Sequence, residues 1–256
     1  MIEIDNLKWD IFFGGAGREI TIQKLVDKKF NINRILVPKT KSPQLASSIN
    51  KLSQMALSNK IYEIGIDMRT LQIQEVYGLI CIGFPYKIPD FVLGNYEVAL
   101  NLHPTLLPKY RGPTSGAYIL INNEEVTGST VHILTDDLDS GPIVSQSKVL
   151  LSPFDTIRSM QRKVYETEPE LLLNAILKIK NNDLLLEQNH ELASNFFIRR
   201  TPKDSKIDPT LPLIDLVNHI RANDPEHYPS FFEYQGEKMF VKIWREKKDP
   251  TEFDML

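Results

Sequence analysis

The sequence holds one cysteine, Cys81, so no internal disulfide can form and a cysteine-built metal site lacks its ligands. Nowhere does it contain the ~18 to 20 uninterrupted apolar residues that cross a bilayer. Its start, MIEIDNLKWDIFFGG, lacks the basic region and long apolar run of a secretory leader, so a cytoplasmic protein is expected. A basic excess is missing as well: 33 acidic residues stand against 30 basic ones, giving a net charge of −3. A protein that grips a nucleic-acid backbone needs the opposite balance, and the basic stretch at 238–248 is too local to supply it. The expected partners are small molecules, with no nucleic acid and no membrane.

What is present suits an α/β fold. The 256 residues, 42% hydrophobic and 25% charged, can build one substantial domain with a small appendage. Short apolar runs, DIFFG (10–14), RILVP (34–38), KIYEIG (60–65), LICIG (79–83) and 98–102, read as strands. Between them, Ile22, Leu25 and Val26, then Leu45, Ile49, Leu52 and Ala56, recur at helical spacing. This rhythm predicts an open, mostly parallel, Rossmann-like sheet with helices on both sides. Two further β-segments, 128–134 and 142–150, flank an acidic turn, and a helix is expected over 156–180, kinked or divided at Pro169. A polar, proline-punctuated stretch at 199–212 marks a boundary between a catalytic domain (1–198) and a small extension (199–256). The extension reads as a helix at 213–223 and a hairpin around Gln235-Gly236, a short helix-hairpin subdomain.

The most informative stretch is NLHPTLLPKYRG, residues 101–112. Residues two apart in a strand share a face, so Asn101 and His103 point together. Pro104 cannot continue central pairing, which puts them at the strand's carboxyl end, where open α/β sheets bind ligands. An asparagine amide can donate to an oxyanion and a histidine can move protons near neutral pH, the two needs of acyl transfer to an amine. On N-x-H alone, a strand-end cap and a structural histidine remain the commoner explanation. The turn TDDLDSGP (135–142) crowds Asp136, Asp137 and Asp139; taken alone it is a solvated acidic turn, since it lacks the downstream ligands of a calcium loop. Residues 14–19, GGAGRE, open a helix after the first strand, but Ile20 stands where a dinucleotide fingerprint needs glycine. A phosphate or sugar contact at Gly15 and Arg18 and a plain tight turn both stay open.

Together, NLHPTLLPKYRG and GSTVHILTDDLDSGPIVSQ (128–146) resemble the folate-dependent formyltransferases. Those enzymes pair N-x-H-x-S-L-L-P-x-Y-R-G with a G-x-T-x-H strand and an L-D-x-G-x-I turn; here Thr105 replaces the serine and keeps its hydroxyl. The resemblance implies that His103 is the general base and acid at the amine, Asn101 the oxyanion partner, and Asp139 the carboxylate orienting the histidine or a bridging water. It implies N10-formyltetrahydrofolate as donor, held near Phe84, Pro85, Tyr86 and Ile88 and near Asp136, Asp137 and Leu138, largely through backbone groups. Acceptor contacts are expected from Gly15, Arg18, Lys109, Tyr110 and Arg111, and no metal is expected. His132 alternates with core residues and is expected to be structural. The tail beyond residue 199 resembles that of the tRNA and sugar enzymes of the family. It is too short for the tRNA enzyme's extra barrel, and the run after Gly112 departs from that enzyme's pattern. The expected acceptor is a nucleotide-linked amino sugar, a 4-amino-4,6-dideoxyhexose for a bacterial surface glycan such as O-antigen, with the nucleotide left open. A methionyl-tRNA formyltransferase-like enzyme and a formyltetrahydrofolate hydrolase are the alternatives. The aromatic tail, Phe231 to Trp244, suggests a homodimer.

Overall fold

The computed structural model describes residues 7–72, 74–113, 115–194, 200–252 and 255–256. The expected boundary between residues 198 and 199, and the side chain of Ala56, lie outside what is described. Seven strands make one sheet: β1 (Trp9–Phe13), β2 (Ile32–Pro38), β3 (Ile61–Ile64), β4 (Gly78–Ile82), β5 (Val98–His103), β6 (Val126–Ile133) and β7 (Ile143–Leu150). Their order is β3-β2-β1-β4-β5-β6-β7. The first five pair in parallel, and β6 runs antiparallel to both its neighbours. The sheet is therefore mostly parallel and Rossmann-like, as the sequence predicts.

Strand alternation divides the core in two. Ile11, Phe13, Leu100 and Leu102 join a large cluster with Ile22 and Leu25 of α1 (Glu19–Asp27), Leu45 and Leu52 of α2 (Pro43–Leu52), and Leu172 and Ile176 of α5 (Ile157–Lys180). The residues between them, Phe12, Leu79 and Cys81, face the other way, against Phe84, Ile88 and Val92. Helices thus crowd one face, whereas loops and the single-turn α3 (Asp90–Leu93) cover this part of the other. Asn101 and His103 alternate with Leu100 and Leu102, so they belong to the loop-covered face. Asn101 and His103 thus stand on the side of the sheet that these loops cover.

Pro169 does not divide α5, which runs as one 24-residue helix begun by a capping box between Thr156 and Ser159. The missing backbone bond is offset by packing, since Glu168, Pro169, Leu171 and Leu172 are all buried beneath the sheet. Beyond α4 (Ser115–Ile121), the tail forms α6 (Leu213–Arg221) and the hairpin β8 (Ser230–Tyr234) with β9 (Glu237–Val241). The second strand stops short of Trp244. Arg221, nearly fully buried, ties the tail to the body by donating to the carbonyls of Ser152 and Asp155 and to Asn123. Arg158 closes on Asp224 at 2.8 Å. Among the described residues, no helix is long and apolar enough to cross a membrane.

Candidate active site

Asn101 sits opposite His132 in the β5–β6 ladder, and His103 sits opposite Thr130. The turn after β6 folds back so that one carboxylate, Asp139, reaches both strands. Its Oδ1 accepts from Asn101 Nδ2 at 3.1 Å, and its Oδ2 accepts from the Gly112 N–H at 2.9 Å. Oδ2 also lies 3.6 Å from His103 Nδ1, and Oδ1 lies 3.5 Å from His132 Nε2. Asp139 achieves this from a left-handed backbone (φ 53°), and Tyr110 on the facing loop is left-handed too (φ 59°). Such conformations are uncommon outside glycine and gather where the surroundings dictate them.

The hydrogen bonds settle both tautomers. His103 Nε2 is 2.9 Å from the Tyr110 carbonyl, which can only accept, so Nε2 carries a proton and, in the neutral ring, Nδ1 is bare toward Asp139. His132 Nδ1 faces the Ile133 carbonyl at 2.9 Å and must donate, so its Nε2 accepts from Asn101 Nδ2 at 3.0 Å. Both amide hydrogens of Asn101 are thereby directed, one at Asp139 and one at His132. His132, expected to be structural, is a direct partner of Asn101. Strand alternation reveals which face a residue occupies, not what lies across it.

Burial, first of all, pushes the His103 imidazole below its ordinary value of 6.5; the Asp139 charge and the Tyr110 carbonyl pull the other way, while His132 and Arg18 add to the fall. Burial alone would raise the Asp139 carboxyl, yet His103, His132 and the Gly112 N–H outweigh it and hold the group well below the usual carboxylate range. At neutral pH the site therefore contains a neutral imidazole beside a fixed carboxylate. That combination is suited to taking a proton from a nucleophile.

The other expected residues fall into four groups. The loop of Phe84 to Ile88 and the 136–139 turn are brought together, with Lys87 Nζ 3.2 Å from Asp136 Oδ1. The Phe84 and Ile88 side chains point into the core, where Phe84 packs edge-on to Phe12 and Tyr86, while Pro85, Asp136, Asp137 and Leu138 are exposed. Gly15 belongs to a close backbone crossing: Gly14 and Gly15 N–H groups both donate to the Ile82 carbonyl, and a Cβ on the left-handed Gly83 (φ 63°) would lie 2.8 Å from Gly15 Cα. Arg18, Tyr110 and Arg111 are buried and already engaged, with Glu168, Glu124 and Gln188 respectively. Each of these three, expected as a substrate contact, has a protein partner at its charged or polar tip. Lys109 keeps most of its side chain in solvent, 3.5 Å from Glu124. No cluster of three or more His, Cys, Asp or Glu side chains among the described residues has metal-binding geometry.

Behind Asp139 lies a strap that the sequence reading missed. Gln188 Nε2 donates to the carbonyls of Asp139 (3.0 Å) and Gly141 (2.7 Å), and its Oε1 accepts from Arg111. His190 Nδ1 is 3.2 Å from Arg111 Nη2, while Ser194 accepts from the Tyr110 and Arg111 N–H groups. No periodicity announces such a crossing, which comes from irregular chain after α5.

Residues 47–176, which contain the whole Asn101–His103–His132–Asp139 constellation, match the formyl transferase family. The chain belongs to that family. Solved structures share its fold over nearly their full length. A 4-N formyltransferase from Francisella tularensis is 21% identical with a TM-score of 0.76, covering 94% of this chain and 99% of its own. A sugar N-formyltransferase from Shewanella sp FDAARGOS_354 is 19% identical with a TM-score of 0.75, covering 95% and 99%. An N-formyltransferase from Helicobacter canadensis, solved with folinic acid and dTDP-3-aminofucose, is 20% identical with a TM-score of 0.68, covering 91% and 86%.

Proposed function

We propose that this chain transfers a formyl group from N10-formyltetrahydrofolate to the amine of a nucleotide-linked amino sugar, a 4-amino-4,6-dideoxyhexose destined for a bacterial surface glycan. The observation that carries the chemistry is the bare Nδ1 of buried, neutral His103, aimed at Asp139 and two residues from Asn101. The donor would supply the formyl group, and the joined loops at Lys87 and Asp136 are where its ring would lie. Nδ1 of His103 takes the proton that the attacking amine loses and returns it to the leaving nitrogen. Asp139, 3.6 Å away, stabilises the imidazolium in between. Asn101 meets the oxygen that becomes negative, by turning toward it the N–H now given to His132.

Support for a sugar acceptor comes from relatives of matching length: one is named a 4-N formyltransferase, one a sugar N-formyltransferase, and one was solved with dTDP-3-aminofucose. A cytoplasmic homodimer joined through the tail accords with its exposed Tyr234, Phe240 and Trp244. The test is a panel of dTDP-, UDP- and GDP-linked amino sugars incubated with N10-formyltetrahydrofolate, following tetrahydrofolate formation by absorbance and the sugar by mass. A gain of one formyl group on a 4-amino sugar is expected. Equal formate release with and without any sugar would overturn the reading in favour of a hydrolase.

A further inference from the structure

Arg18 ends the β1–α1 turn, and every mapped bond of its guanidinium runs inward. Nε donates to Glu168 Oε2 at 2.8 Å, and Nη2 donates to Glu168 Oε1 at 2.6 Å. Nη2 also donates to the Leu102 carbonyl at 2.9 Å. Leu102 is the residue between Asn101 and His103. Glu168 comes from α5, 150 residues away, and accepts from Ser129 Oγ at 3.0 Å. Ser129 in turn precedes Thr130, the ladder partner of His103. The two charged side chains are 3% and 0% exposed, and the Tyr165 ring lies 5.4 Å from the guanidinium carbon.

A buried ion pair is a poor way to gain stability, because desolvation consumes most of the attraction and an apolar pair would pack as well. This pair also does something an apolar pair cannot. Where β4 and β5 reach the site, the β1–α1 turn caps their carbonyls: Gly14 and Gly15 take Ile82, and Arg18 takes Leu102. The peptide that sets the relative aim of Asn101 and His103 is thus pinned by a fork braced from α5 and β6.

We propose that Arg18, clamped by Glu168, is a positioning residue that fixes the strand-end peptide carrying Asn101 and His103 and keeps a positive charge behind the reacting imidazole. The proposal rests on His103 acting as the base. The charged and titratable groups facing His103 are Asp139 from the 134–142 turn, His132 from β6 and Arg18 from the β1–α1 turn, with the Tyr110 carbonyl of the 104–112 loop on Nε2. Burial lowers the imidazole first; among the charged groups Asp139 favours protonation, and His132 and Arg18 oppose it.

The test replaces the pair by apolar residues, Arg18→Met with Glu168→Leu, leaving no lone buried charge. Nitrogen-detected NMR of labelled histidines reads the His103 titration midpoint without turnover, and kcat and KM for the formyl donor read the reaction. The midpoint is expected to rise and kcat to fall by about tenfold to a hundredfold, the scale of a small misalignment, with KM for the donor little changed. The matching removal of a remote buried pair, Arg34→Met with Asp10→Leu, is expected to move neither. Should the first variant fail to fold, Arg18→Lys keeps the cation but loses the fork; the midpoint should then stay near wild type while kcat falls. A wild-type midpoint and kcat in the folded apolar pair, or full kcat in Arg18→Lys, would overturn the proposal. Absence of formyl transfer by the wild type would instead defeat the function proposed above, with the titration still deciding whether Arg18 acts on His103.

Discussion

Asp139 Oδ2 stands 3.6 Å from His103 Nδ1, too far for a hydrogen bond and close enough for an ion pair the moment the ring gains a proton. The carboxylate is therefore a partner for the charged form of the base more than for its resting form. Replacing His103 by Gln should lower kcat by about two to four orders of magnitude, the usual worth of a general base. Donor binding, measured by calorimetry, should change little because the backbone proposed to hold the folate is left unaltered. Equal turnover by the variant would remove His103 from the chemistry.

The pH profile carries a sign. His103 titrates below 6.5 because of burial, and it works as a base when neutral, so kcat should rise with pH through a midpoint under 6.5. Asp139→Asn removes the group that favours protonation, so the midpoint of the variant should move lower still as kcat falls. The same shift acts on folding. Between the folded value and about 6.5 the unfolded chain binds more protons, so the His103 contribution is full above 6.5 and is lost as the pH drops through that window. Asp139, held low, contributes above the ordinary carboxylate range and loses its share only in stronger acid. Urea titrations at several pH values, with and without His103, measure both.

Gln188 is the hinge pin of the strap. Gln188→Leu leaves two buried carbonyls without their donor and the Arg111 guanidinium with only His190 of its two side-chain partners, at a cost of about 1–3 kcal/mol. Turnover should fall as well, since the carbonyl being released belongs to Asp139. Denaturant midpoints and initial rates on one preparation check this, and a change in stability alone would show that the turn holds its shape unaided.

Gly141 closes the same turn with no room to spare: a Cβ there would meet the Ile133 carbonyl oxygen at 2.1 Å. Because the obstacle is backbone, Gly141→Ala should force the turn outward, costing about 1–3 kcal/mol as overpacking does, and it should weaken the Asn101–Asp139 bond. A crystal structure of the variant, or loss of kcat beyond the loss of stability, registers the shift.

The sheet was legible because apolar runs and helical spacing are local signals, and the pairing of Asn101 with His103 followed from a two-residue period stopped by Pro104. Asp139 was reached through likeness to a family, since three crowded aspartates say nothing alone about which one turns inward. The glycine-rich turn before α1 leaves an anion contact at Arg18 open, and its bond to Glu168 is not legible because that residue stands 150 positions on without any pattern linking them. His132 and Gln188 were missed for a related reason: what they touch is set by a ladder register and by irregular chain.

The strap has one more consequence. The family-matched stretch ends at residue 176, yet the groups that hold Asp139 and the 110–111 loop lie at 188–194. During synthesis those residues follow α5, whose Leu172 and Ile176 complete the core beneath the sheet, and chains begin to fold as they emerge. The contacts that hold Asp139 and the 110–111 loop are thus supplied by chain made after the whole of the sheet and α5.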